Sequence, residues 1–210
     1  MPGRPPLRSG AGATLLISLL QQRSQLRFHS RETCLGRQSR PLLPQFGLLG
    51  AHPRLIAPVQ QLFGEPVYMH QFKINGKMAF EGDVWQWHQD YGTWLNDDKM
   101  PAERAMNVAI FLDDVNDFNG PLMFIPGSHK RGVVDAKHDL TTTSYPLWTI
   151  DNGLIAQLVE RAGGPGGFDA DGRYVPGGIV SPKGPAGSMI LFHGCLVHAS
   201  GSNLSPWNRV

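Results

Sequence analysis

The sequence has little cysteine, no long apolar run and no marked excess of either charge, and each shortage removes a class of protein. Its 2 cysteines, Cys34 and Cys195, stand far apart and form no CxxC pair. That excludes a disulfide framework or a cysteine-built zinc site and predicts free thiols in a reducing compartment, taken as the cytoplasm. The longest apolar run, residues 13–20, is interrupted by Thr14 and Ser18 and is too short to span a bilayer. With 19 Lys and Arg against 17 Asp and Glu, the formal charge is only +2, which predicts neither a nucleic-acid surface nor a membrane-binding one. The glycine-rich stretch GGPGG at 163–167 lacks the preceding strand, the following helix and the lysine of a phosphate loop, so nucleotide binding is not expected.

What is present points to strands. A chain of 210 residues suits one domain, and 25 glycines with 17 prolines fit many short strands and turns better than a helix bundle. Residues 1–46 carry seven arginines against the single acid Glu32 and are expected to be a disordered leader or a mispredicted N-terminus, with an organelle transit peptide as the alternative. The folded domain is therefore placed at 47–210. A helix is predicted from Pro53, with Leu55, Ile56, Val59, Leu62 and Phe63 on one face, Pro58 as a blemish and Gly64 as its end. Strands follow at VYMHQFKIN (67–75), through His88, at RAMNVAIFLDDV (104–115) and at LMFI (122–125). Residues 131–150 read as an excursion without periodicity, Asp151 as the N-cap of a second helix, and the chain returns to strands in SMILFHG and CLVHAS. Helices do not alternate with strands, so a jelly roll is expected rather than a doubly wound sheet.

The stretch WQWHQDYGTW (85–94) carries the chemistry. On a strand, residues i and i+2 share a face, so His88 and Asp90 project together while Gln89 points away. By the same alternation Trp85 and Trp87 should lie opposite His88. His198, on a strand distant in sequence, can complete a set of two imidazoles and one carboxylate that leaves coordination positions open, which suits non-haem Fe(II), with catalytic zinc as the competing metal. Arg209 and Ser200 together offer the fork and hydroxyl that clamp a carboxylate. His129 and His193, each beside glycine at a strand end, read as structural.

Four segments then bring a family into view: WHQDYGTW (87–94), NGPLMFIPGSHK (119–130), KGPAGSMILFHGCLVHASGSN (183–203) and Arg209. Together they resemble the phytanoyl-CoA dioxygenase family, in particular its ectoine-hydroxylase-like members, over residues 55–210. The resemblance implies a double-stranded β-helix and oxygenation of a small molecule using Fe(II), 2-oxoglutarate and O2. It implies that His88, Asp90 and His198 hold the metal and that Asn75, Ser200 and Arg209 bind 2-oxoglutarate. It also implies that Gln71 and Trp94 line the substrate pocket. The stretch NDDKMP (96–101) stands where ectoine-type members carry Glu-Asp-Gly before Met-Pro, so the substrate does not transfer. Family members continue past the arginine through a further core strand, so the expectation is a domain truncated at its C-terminal strand, with Arg209 weakly held. The alternative reading is a catalytically silent member that acts as a metal-binding or regulatory module. Neither a nucleic-acid nor a membrane partner is expected, and the oligomeric state is left open.

Overall fold

A computed structural model describes residues 14–21, 44–142 and 146–209 of the chain. In chain order the elements are β1 (Thr14–Gln21), α1 (Pro44–Gly50), α2 (Pro53–Phe63), β2 (Val67–Asn75), β3 (Trp85–His88), α3 (Asp90–Asn96), β4 (Ala105–Ile110) and β5 (Leu122–Phe124). A short 3-10 turn, Ser128–Arg131, precedes β6 (Ala136–Asp139), β7 (Leu147–Ile150) and α4 (Asn152–Ala162). The hairpin strands β8 (Gly167–Phe168) and β9 (Tyr174–Val175) come next, then β10 (Met189–His193) and β11 (His198–Ser200).

Two antiparallel sheets carry the structure, one of four strands in the order β10-β4-β1-β2 and one of five in the order β5-β11-β3-β7-β6. Side chains from both meet in one apolar cluster of Ala109, Phe124 and Phe192, flanked by Leu122, Ile190 and Leu196. The sheets thus face one another as the jelly roll expected from the sequence, a mainly β double-stranded β-helix with a few flanking helices.

The central strand β4 is buried along its whole length and serves both sides of its sheet. Met106, Val108 and Ile110 pack outward against Leu55 and Val59 of α2, together with Phe72 of β2. Ala105 and Ala109 belong to clusters on the inner side, and Asn107 hydrogen-bonds inward to Asp90. Helix α2 forms because its apolar residues recur at helical spacing. His52 caps its N-terminus through Nδ1 to the Arg54 N–H, and Gly64 closes it at φ 70°. Pro58 lies inside this helix and neither delays its start nor ends it. Helix α4 begins as predicted, with the Asp151 carboxylate accepting from the Gly153 N–H at 2.8 Å.

Three stretches differ from the sequence expectation. Residues 14–21, set apart with the leader, form β1 and pair antiparallel with both β2 and β4, which fills the interior of the four-stranded sheet. The rest of that N-terminal region, residues 1–13 and 22–43, lies outside the described residues. The excursion at 131–150 supplies β6 and β7, which pair in register from Ala136–Ile150 to Asp139–Leu147 and extend the second sheet. In β6 only Lys137 and His138 are exposed, and β7 buries Leu147 and Ile150 at its two ends, so four-residue strands of this kind show no alternation to be read. Finally, β3 stops at His88 and the chain turns into α3, so Asp90 stands at a helix start rather than on a strand.

The turn at 116–120 is packed tightly enough to require glycine. Gly120 has φ 72°, and a Cβ there would lie 2.7 Å from the Gly201 carbonyl oxygen. Gly120→Ala is expected to lower the unfolding free energy by about 2–3 kcal/mol, from left-handed strain and the displaced 201–202 backbone. Urea denaturation at neutral pH measures this, and an unchanged midpoint would contradict the packing.

Candidate active site

The site is assembled where β3 meets β11. His88 pairs with His198, and Ser200 pairs with Trp85, so β3 takes three steps where β11 takes two. The extra residue is a β-bulge, and it returns Trp85 to the face of His88. Trp85 accordingly lines the same cavity as His88, with ring centroids 6.2 Å apart, while Trp87 packs outward beside Ile125 and Ile150. The alternation argument that set both tryptophans opposite His88 holds for Trp87 and fails for Trp85. Gln89 points away from the site as expected. Its amide donates to the carbonyls of Gly132 at 2.9 Å and Cys195 at 2.7 Å, and its oxygen accepts from Val134 N–H at 3.0 Å. These bonds tie the turn between β3 and α3 to two neighbouring loops.

His88, Asp90 and His198 converge as the sequence predicts. One ligand atom from each lies within 4.8 Å of the others, and all three residues are buried. Asp90 Oδ1 is 3.7 Å from His88 Nε2, and Oδ2 is 3.6 Å from His198 Nε2. Each imidazole is oriented through its other nitrogen: His88 Nδ1 lies 2.6 Å from the Gln86 carbonyl and His198 Nδ1 2.9 Å from the Leu196 carbonyl. A carbonyl only accepts, so both Nδ1 atoms carry the proton, and both Nε2 atoms turn towards Asp90, the placement a metal site needs.

Electrostatics keep the set in its ligating form. Burial pulls His88 down to about 3, helped by His198 and opposed by Asp90, so its imidazole is neutral at physiological pH. Burial pushes the Asp90 carboxyl up, but His198, His88, Lys73 and the Asn107 amide together hold it below the ordinary value. The cluster therefore combines the neutral His88 imidazole and the Asp90 carboxylate with the His198 ring. That donor set fits a divalent transition metal with open positions and offers no thiolate. Cys195 is free and buried, with burial and Glu103 raising its thiol, and Cys34 lies outside the described residues.

Asn75, Ser200 and Arg209 line the same cavity as the triad. Arg209 is well held: its backbone N–H donates to the Lys77 carbonyl at 2.8 Å, and its carbonyl accepts from Lys77 N–H at 2.7 Å. Its guanidinium donates to Asn119 O at 3.0 Å and to Gly120 O, and the residue is 4 % exposed. The expectation of a loosely placed arginine thus gives way to one fixed by a backbone bridge and the 116–120 turn. Burial lowers Arg209 only to about 10, so it stays charged. Lys73 and Lys77, which sequence reading passed over, also line this cavity. Burial brings Lys77 down to about 8, with Arg209 pushing the same way and Asp83 opposing.

Gln71 and Trp94 are brought together but not onto that cavity's wall. The indole N–H donates to Gln71 Oε1 at 3.2 Å, and Trp94 is buried with Tyr91, Met100 and Ala105. Gly194 makes room for it, since a Cβ there would sit 3.1 Å from the indole. The register of β1 on β2 skips His70, a bulge that turns His70 and Gln71 both towards Trp94. His70 meets the indole edge at 5.5 Å between centroids and bonds Asp98 at 3.1 Å.

Comparison with known proteins agrees with this geometry. The family model described as phytanoyl-CoA dioxygenase matches residues 11–210. L-proline trans-4-hydroxylase of Streptomyces griseoviridis is 40 % identical over 160 residues, which cover 75 % of this chain and 57 % of that protein. Ectoine dioxygenase of Bordetella bronchiseptica is 34 % identical over 173 residues, covering 80 % of this chain and 52 % of that protein. The structure of EctD from S. alaskensis with 2-oxoglutarate and 5-hydroxyectoine superposes with a TM-score of 0.63 at 32 % identity, over 82 % of this chain and 51 % of that one. A second EctD structure from S. alaskensis, with bound Fe, has the same TM-score of 0.63. The chain spans a little over half the length of these curated relatives. With its sheets, its triad and the match from residue 11 to 210 in agreement, the chain belongs to the phytanoyl-CoA dioxygenase family.

Proposed function

We propose that this protein is an Fe(II)- and 2-oxoglutarate-dependent dioxygenase that hydroxylates a C–H bond of a small molecule. The observation that carries this is the sharing of one cavity by the triad and by Asn75, Ser200 and Arg209, with Arg209 held by its bridge to Lys77. The relatives named for proline and ectoine, and the EctD structures with 2-oxoglutarate and with Fe, support it.

Bound Fe(II) supplies the redox chemistry, by which O2 and 2-oxoglutarate become succinate, carbon dioxide and the hydroxyl placed on the substrate. The residues do the rest. His88, Asp90 and His198 hold the ion. The Arg209 guanidinium binds the distal carboxylate of 2-oxoglutarate, the Ser200 hydroxyl adds a hydrogen bond, and the Asn75 amide steadies the same molecule. Lys73 and Lys77 make the cavity electropositive, which favours a dianionic cosubstrate. Ala109, Leu122 and Phe192 give it apolar walls that limit water. Gln71 and Trp94, joined by their hydrogen bond, are assigned to the substrate side, where His70 braces the indole. No described helix is long and apolar enough to cross a membrane.

Aerobic incubation with Fe(II), ascorbate and 2-oxoglutarate is expected to yield succinate, and proline and ectoine are the first substrates to test for coupled turnover. His88→Ala and Asp90→Ala should each abolish succinate formation and weaken Mn(II) binding at least ~100-fold, measured by calorimetry. Metal binding without any response to 2-oxoglutarate would instead indicate a binding module. Arg209→Met should weaken 2-oxoglutarate binding by roughly 10- to 100-fold, the worth of a charge-assisted contact, while leaving Mn(II) affinity within about twofold. Equal losses for metal and cosubstrate would refute its role as anchor.

A further inference from the structure

Asn107 is the single polar residue in β4, whose sequence is AMNVAI, and it is fully buried at the middle of the domain's central strand. Burying an amide there is costly unless it is hydrogen-bonded, and packing alone would be served as well by leucine or valine. Its Nδ2 donates to Asp90 Oδ2 at 2.8 Å. The neighbours at Ala105 and Ala109 on the same face are small, which leaves the amide room to approach the carboxylate across the sheet.

Both oxygens of Asp90 face the metal site, Oδ1 towards His88 and Oδ2 towards His198. A carboxylate so placed can bind a metal through one oxygen or through both. The number decides what else fits. On a six-coordinate ion, two imidazoles and one oxygen would fill three positions and a chelating 2-oxo acid two more, which would leave one for the second cosubstrate. If Asp90 bound through both oxygens, the sixth position would be filled.

On the reading proposed above, we infer that Asn107 is a positioning residue: by claiming Oδ2 of Asp90 it presents a single oxygen, Oδ1, to the metal and keeps one coordination position open. The bond also holds the carboxylate plane against rotation, as a partner behind a metal ligand does. Asn107 acts through Asp90 and does not itself line the cavity.

The test is Asn107→Leu, alike in branching and number of side-chain heavy atoms but unable to donate, with the smaller Asn107→Ala as a second variant should the first fail to fold. Mn(II) affinity is measured by calorimetry. Nitric oxide binding to the Fe(II) and 2-oxoglutarate-loaded protein, held without oxygen, is followed by its paramagnetic resonance signal and reports whether the last position is free. A folded variant is expected to bind Mn(II) about 10- to 100-fold more weakly. At saturating metal and 2-oxoglutarate it should take up nitric oxide several-fold less tightly than wild type, while 2-oxoglutarate itself still binds. Wild-type affinities for both Mn(II) and nitric oxide in either folded variant overturn the inference, even where thermal stability has dropped, since they would leave Asn107 a structural role only. Failure of the wild-type protein to bind 2-oxoglutarate with metal would defeat the dioxygenase reading instead.

Discussion

The antiparallel register of β3 on β11 is the constraint on which the site depends. Side chains alternate faces along a strand, so a slip of one residue would send His88 or His198 out of the cavity and dismantle the ligand set. The register is held from several sides. Both histidines are tied to carbonyls two residues earlier in the chain, Gln89 bonds three separate backbone groups just beyond His88, and the Ser128 hydroxyl accepts from Val197 N–H beside His198. None of these bonds needs the metal, so the imidazoles are oriented before any ion arrives.

The same economy of placement shapes the electrostatics. Burial raises the cost of charge, and the cavity meets that cost with neighbours of fixed sign rather than with solvent. His198, His88, Lys73 and Asn107 all lower Asp90 against the burial that raises it. At the far end Lys77 and Arg209 sit on a shared backbone bridge and repel one another. An anion beside Lys77 and Arg209 would offset their mutual repulsion.

Much of this was legible in residue order, and the failures have common physical causes. His88, Asp90, His198, Ser200 and Arg209 could be found because their residue types, in that order, suit one chemistry. Asp90 was paired with His88 through strand periodicity, yet it owes its position to a turn into α3. Trp85 was assigned to the wrong face because a bulge adds a residue without any mark in the hydrophobic pattern. Strand β1 is apolar enough to be read but stands amid the arginines of residues 1–46, whereas β6 and β7 owe their identity to pairing with each other rather than to their own composition. Asn107 was visible as a polar residue in an apolar alternation, but only the fold shows that it faces Asp90. Lys73 and Lys77 carry no local signal at all.

The bulge in β2 has a consequence for how such a protein diversifies. By setting His70 and Gln71 side by side on the inner face, it brings two consecutive polar side chains against Trp94. Downstream of them β2 resumes its ordinary pairing with β1 from Gln71 to Asn75. Replacing that dipeptide would therefore alter the surroundings of Trp94 while leaving the register of Lys73 and Asn75 on the same strand unchanged. The two ends of one strand can thus change independently.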